Sequence, residues 1–181
     1  MLEIGITENE KKVIEYQLGR NPENLKNIAL YCPFQNPAVL RTIPYSIDYG
    51  IFPTMYWLSC PHLVREVSKL EDEGLVKKIS RKLKNIPELQ EEMKKAHQDY
   101  ARKREELLTV KNRSKLKIKS EGMYKVIIES GVGGIIEKEG VKCLHTHLAD
   151  FLVAGENPVG RMVWDLVEWP DKCEICNIDN I

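Results

Sequence analysis

The residues best suited to chemistry in this chain are five cysteines and four histidines. Cys32 is followed by Pro33 and Cys60 by Pro61, and each closes a short apolar run that reads as a strand, residues 28–31 and 54–58. A strand end turned by a proline can aim a side chain into a site. Cys-Pro also follows ligand cysteines in iron–sulfur proteins. Cys143 opens a helical stretch with His145 and His147 close behind, and Cys143 and His147 share a helix face at four residues' spacing. The resulting expectation is a metal centre of Cys32, Cys60 and Cys143, with His145 or His147 as fourth ligand. Three thiolates and an imidazole suit zinc; three thiolates and an open position suit an iron–sulfur cluster. Free cysteines are also among the most buried residue types, and ligands spread over about a hundred residues make no local motif, so spacing alone favours packing over a site. A third reading uses Cys60 by itself, at a helix N-terminus that would favour a reactive thiolate. Cys173-Glu174-Ile175-Cys176 has metal-type spacing, but one such pair is a weak signal.

These side chains must be held by a fold that the chain can build. At 181 residues it has the length of one domain. With 43% hydrophobic residues it can bury a core without staples. No run approaches the ~18 apolar residues of a membrane span, and the first residues lack the pattern of a secretory signal. A cytoplasmic protein is therefore expected, with its cysteines reduced. The richness in Lys, Glu and Ile leans toward a thermophilic source, which keeps a disulfide as a minor alternative.

The elements follow from periodicity. Thr7 and Glu10 form a capping box for a helix to about Leu18, stopped by Gly19. Three short runs at 28–31, 39–43 and 54–58, separated by Pro and Gly loops, predict a small antiparallel sheet of about three strands. Helices are then expected from Pro61 to Gly74, over 75–83, from Pro87 to about Leu108, over 141–153, and from Pro158 through Trp169. Residues 111–119 read as a basic linker or a helix extension. The fold class is α+β, helix-rich, with residues 1–170 as one domain and 171–181 as a C-terminal tail.

The zero net charge hides three unlike parts: net −3 over residues 1–76, +9 over 77–119 and −6 over 120–181. The basic segment 77–119 could meet nucleic acid, RNA above all, through phosphate contacts; charge runs are more often a solvated helix face. Gly131-Val132-Gly133-Gly134 lacks the spacing of a phosphate-binding loop. His97, with Tyr100 three residues on, is a catalytic candidate beside Cys60, Cys143 and His145. Asp48 and Asp150 are candidates only by default.

Several segments together resemble a bacterial family catalogued as domain of unknown function 501. They are Leu18-Gly19-Arg20-Asn21-Pro22, Tyr31-Cys32-Pro33, Phe52 to Pro61 (FPTMYWLSCP), Ala96-His97-Gln98-Asp99-Tyr100, Gly131 to Gly134, Val141-Lys142-Cys143-Leu144-His145 and Asn157-Pro158-Val159-Gly160. The resemblance runs in order over most of the chain. It implies that Cys32, Cys60, Cys143, His145, His97 and Asn157 are motif positions, while His147 is peculiar to this chain. It implies no particular activity. Three functions stay open: a metalloprotein with zinc or an iron–sulfur cluster, acting on a small molecule or RNA; a metal-free thiol enzyme; and a non-catalytic RNA- or protein-binding module using 77–119.

Overall fold

The computed structural model describes residues 5–22, 24–136 and 140–177. The N-terminal residues read above for a signal, and the last four of the tail, lie outside them. Helix α1 (Glu8–Leu18) starts on the Thr7–Glu10 capping box and ends at Gly19, whose φ of 65° is the left-handed conformation that glycine adopts freely. Strands β1 (Leu25–Tyr31), β2 (Pro37–Thr42) and β5 (Tyr56–Leu58) form the expected antiparallel sheet in the order β1-β2-β5. Between β2 and β5 lies a two-stranded ribbon, β3 (Tyr45–Ser46) and β4 (Gly50–Ile51), that periodicity did not reveal.

Because β2 is central and antiparallel to both neighbours, β1 and β5 run parallel to each other and end at the same edge. Cys32 and Cys60 follow those two strand ends. The buried β2 side chains pack against helices α2 (Pro61–Asp72), α4 (Pro87–Glu106), α7 (Leu144–Ala154) and α8 (Pro158–Trp164), through Leu63, Val67, Met93, Tyr100, Leu148 and Val163. Helix α3 (Leu75–Asn85) packs through Ile79 and Leu83 and turns its lysines outward. The basic stretch resolves into a true helix, α5 (Val110–Lys119), capped by Thr109. With α6 (Glu121–Glu129) it closes a second, smaller core of Tyr45, Leu108, Leu116 and Ile127. Helix α8 stops at Trp164, five residues before the expected end, and Trp169 instead packs edge-on to Trp164.

Tyr100 ties α4 to the sheet, its hydroxyl accepting from the amides of Met55 (2.6 Å) and Tyr56 (3.3 Å). Helices α7 and α8 meet at Gly160, where a β-carbon would stand 2.2 Å from the His147 carbonyl oxygen and 2.4 Å from Phe151 Cβ. Neither obstacle is a flexible side-chain tip, so Gly160→Ala is expected to destabilise by about 2–3 kcal/mol, the upper range for overpacking. Urea unfolding checks it, and an unchanged midpoint would mean that the helices separate freely.

Candidate metal centre

Among the described residues, the His, Cys, Asp and Glu side chains whose ligand atoms come together in a group of three are Glu71, Cys143 and His145, all within 4.8 Å of one another. Their placement follows from two helix ends. Cys143 is the N-cap of α7, with extended φ/ψ of −144° and 118°. It therefore stands outside the helix, and the four-residue face rule that paired it with His147 does not apply. It meets His145 instead, Sγ to Nδ1 at 3.7 Å. Glu71 lies in the last turn of α2. Its Oε1 accepts the Leu144 amide at 2.6 Å, which caps α7 in place of Cys143, and stands 3.4 Å from His145 Nδ1. His145 Nε2 lies 3.1 Å from the Val64 carbonyl and 3.3 Å from Ser68 Oγ. A carbonyl only accepts, so Nε2 carries a proton, and Nδ1 is the nitrogen that faces Cys143 and Glu71 and is left for a metal in the neutral ring.

Burial raises the Cys143 thiol, but His145 and the Thr146 amide and hydroxyl outweigh it, so the net shift is downward. Burial lowers His145, and Cys143 and the Val64 carbonyl reverse that, so its net shift is upward. Beside this group opens a cavity of about 450 Å3 lined by Phe52, Tyr56, Trp57 and Leu58 on one side and Val64, Cys143, His145 and Thr146 on the other. Phe52 stacks on Trp57 with centroids 5.4 Å apart, and the Arg20 guanidinium lies 5.0 Å over Trp57.

Of the four ligands expected from the sequence, the structure thus brings Cys143 and His145 together and adds Glu71. Cys60 sits at the opposite end of α2 from Glu71, as that helix's N-cap. The amides of His62 and Leu63 do approach its thiol, but burial dominates and pushes it up to about 11. That is the opposite of an activated nucleophile. Cys32 is buried beside it.

His97 is wholly buried and away from solvent; its Nδ1 accepts the Val132 amide at 3.0 Å and its ring packs edge-on to His147. A β-carbon on Gly131 would fall 2.3 Å from that Nδ1. The glycine loop is therefore a packing device around His97. Its Gly131 and Val132 amides bond to Ile135 and His97, leaving neither for a phosphate. His147 is also fully buried and is held neutral, its pKa depressed to about 3 by burial. Asp150 accepts from Asn157 at 2.9 Å in the core, and Asp48 is exposed on a loop. Of the basic residues, the lysines of α3 and α5 are exposed, Arg102 and Arg113 pair with Glu106 and Glu105, and Arg104 is buried. No described helix is long and apolar enough to cross a membrane.

A helix-rich α+β protein with a thiol and an imidazole at the wall of an aromatic cavity, and a carboxylate beside them, is the class that fold and site define. The chain belongs to the family described as protein of unknown function (DUF501), whose profile matches residues 28–165. No curated protein and no solved structure matches it.

Proposed function

We propose that this protein is a metal-dependent enzyme acting on a small molecule, with one zinc ion held by Glu71, Cys143 and His145 at the cavity wall. The observation that carries the reading is the spacing of the donors. Tetrahedral zinc with bonds of about 2.0–2.3 Å separates its ligand atoms by about 3.3–3.6 Å. Here His145 Nδ1 stands 3.7 Å from the Cys143 sulfur and 3.4 Å from the Glu71 oxygen.

The surroundings support it. The Val64 carbonyl orients the imidazole with Nδ1 unprotonated, the outer contact that metal-bound histidines commonly make. A Cys-His-Glu catalytic triad would need the nucleophile and the carboxylate at opposite ring nitrogens, whereas here both face Nδ1. Three protein ligands leave a fourth position for water or substrate, as in catalytic rather than structural zinc sites. An ion so held lowers the pKa of bound water and polarises a carbonyl, which points to hydrolysis. The cavity's volume is that of a small-molecule site, and its aromatic wall suits a substrate with a flat or apolar part.

Metal analysis of the anaerobically purified protein tests this. One equivalent of zinc is expected to be lost in Cys143→Ser and His145→Ala and weakened at least tenfold in Glu71→Gln, with the far-ultraviolet circular dichroism unchanged. Zinc content indifferent to all three would overturn the reading. The lowered Cys143 thiol favours a second one, a metal-free thiol enzyme. It would be adopted if the folded protein held no metal at Cys143 and iodoacetamide labelled Cys143 far faster than Cys60.

A further inference from the structure

We propose that Cys32, Cys60, Cys173 and Cys176 form a second metal centre, made of thiolates alone, which fastens the C-terminal segment to the edge of the sheet. The first observation is convergence on one short stretch of backbone. Cys32 donates its amide to the Asn36 carbonyl at 2.8 Å, and Cys60 donates its amide to the Ala38 carbonyl at 3.3 Å. Gln17 donates its Nε2 to the Pro37 carbonyl at 2.8 Å, and the same atom lies 3.2 Å from Cys176 Sγ. Two cysteine amides, and the glutamine that contacts a third cysteine, thus bond three consecutive carbonyls, Asn36 to Ala38, at the start of β2. Sheet topology explains two of them, since β1 and β5 end together on either side of that start. The tail delivers the third across α1.

The second observation is the environment. Cys32, Cys60 and Cys176 are all buried, and none is in a disulfide. Cys60 feels the charges of Cys32 and Cys176, and Cys176 that of Cys32, so these three thiols share one neighbourhood, which Cys173 adjoins through Cys176. Cys173 and Cys176 bracket a tight turn closed by the Asn177 amide on the Glu174 carbonyl, and Cys32 and Cys60 each precede a proline. Two Cys-Pro dipeptides and one C-x-x-C pair supply four thiolates from three segments, a ligand set that thiophilic metals take and hard cations do not. These four sulfurs do not form a set within 4.8 Å of one another. That width favours an iron–sulfur cluster over one zinc ion, whose ligand shell is tighter.

The centre is independent of the Glu71 site, and the test keeps the two apart. The Cys143→Ser/His145→Ala protein is purified anaerobically and assayed for iron, acid-labile sulfide and zinc, with a visible spectrum. Metal is expected to persist in this background and to disappear when Cys173→Ser and Cys176→Ser are added. Those two lie in the tail, so the helical circular dichroism stays constant. Iron with equimolar sulfide and a brown colour identifies a cluster; one equivalent of zinc identifies a single ion at the same thiolates. A folded, metal-free background protein, or metal content unmoved by the tail substitutions, overturns the proposal.

Discussion

Arg104→Met is expected to destabilise the fold by about 3–5 kcal/mol, a large share of the ~5–15 kcal/mol that holds a domain together. Arg104 is completely buried and large. Its Nε donates to the Ile127 carbonyl at 2.7 Å and its Nη1 to the Pro53 carbonyl at 2.9 Å. Its Nη2 serves the Val126 and Ser130 carbonyls and the Ser130 hydroxyl. No carboxylate is among these partners, so the guanidinium is held by dipoles. Several are carbonyls at the C-terminal end of α6, where the helix dipole favours a cation. Burial lowers its pKa to about 10, which leaves it charged at neutral pH. Methionine fills the volume and satisfies none of the acceptors, each of which costs about 1–3 kcal/mol when orphaned. Arg104→Lys keeps the charge but lacks the fork needed to serve three carbonyl directions, so it is expected to recover less than half of the loss. Urea denaturation of the three proteins checks both; a methionine variant within 1 kcal/mol of the parent would mean that α6 is held by its apolar face alone.

Arg104 also shows where the sequence stopped being legible. The sequence placed it in the basic segment 77–119, read as a phosphate-binding or solvated face, yet it lies on the buried side of α4 with Met93, Ala96 and Tyr100. Its partners could not be named either, because Val126, Ile127 and Ser130 lie about twenty residues on and contribute mainly backbone carbonyls. The same division runs through the fold. Helix starts at Thr7, Pro61 and Pro87 and the three-strand sheet were readable because capping and periodicity act over a few residues. The β3–β4 ribbon was not, since two-residue strands carry no period.

The candidate site divides likewise. Cys143 and His145 are two residues apart and could be suspected together. Glu71 had no local mark, being one of three acids in a row at a helix end. Only the packing of α2 on α7 makes it a neighbour. Cys32 and Cys60 were readable as a pair because each ends a strand, but which other thiol joins them depends on where the tail lies. Arithmetic on the chain cannot say that Cys176 arrives there.

Asp150 carries the second large effect, and it depends on pH. The carboxyl is almost wholly buried, and burial raises its pKa from 3.8 to about 6, against the opposing influence of its Asn157 hydrogen bond. The folded-state pKa lies above the unfolded one, so the folded chain holds this proton more tightly. The group therefore costs nothing below about pH 4, where both states are protonated. Its cost grows as pH rises from 4 to 6 and is constant above that. With about 1.4 kcal/mol per pKa unit, the full penalty is about 3 kcal/mol. Asp150→Asn removes the titration and keeps a side-chain oxygen to accept from Asn157. The stability of the variant minus that of the parent is therefore expected to rise by about 3 kcal/mol between pH 4 and pH 7. Denaturant unfolding of both proteins at several pH values measures the difference, in which the other titrating groups cancel. A difference that stays flat across the window would show that Asp150 ionises in the folded protein as readily as in the unfolded chain. A difference that falls with pH would mean that Asn157 and the nearby Lys103 stabilise the carboxylate by more than burial costs it.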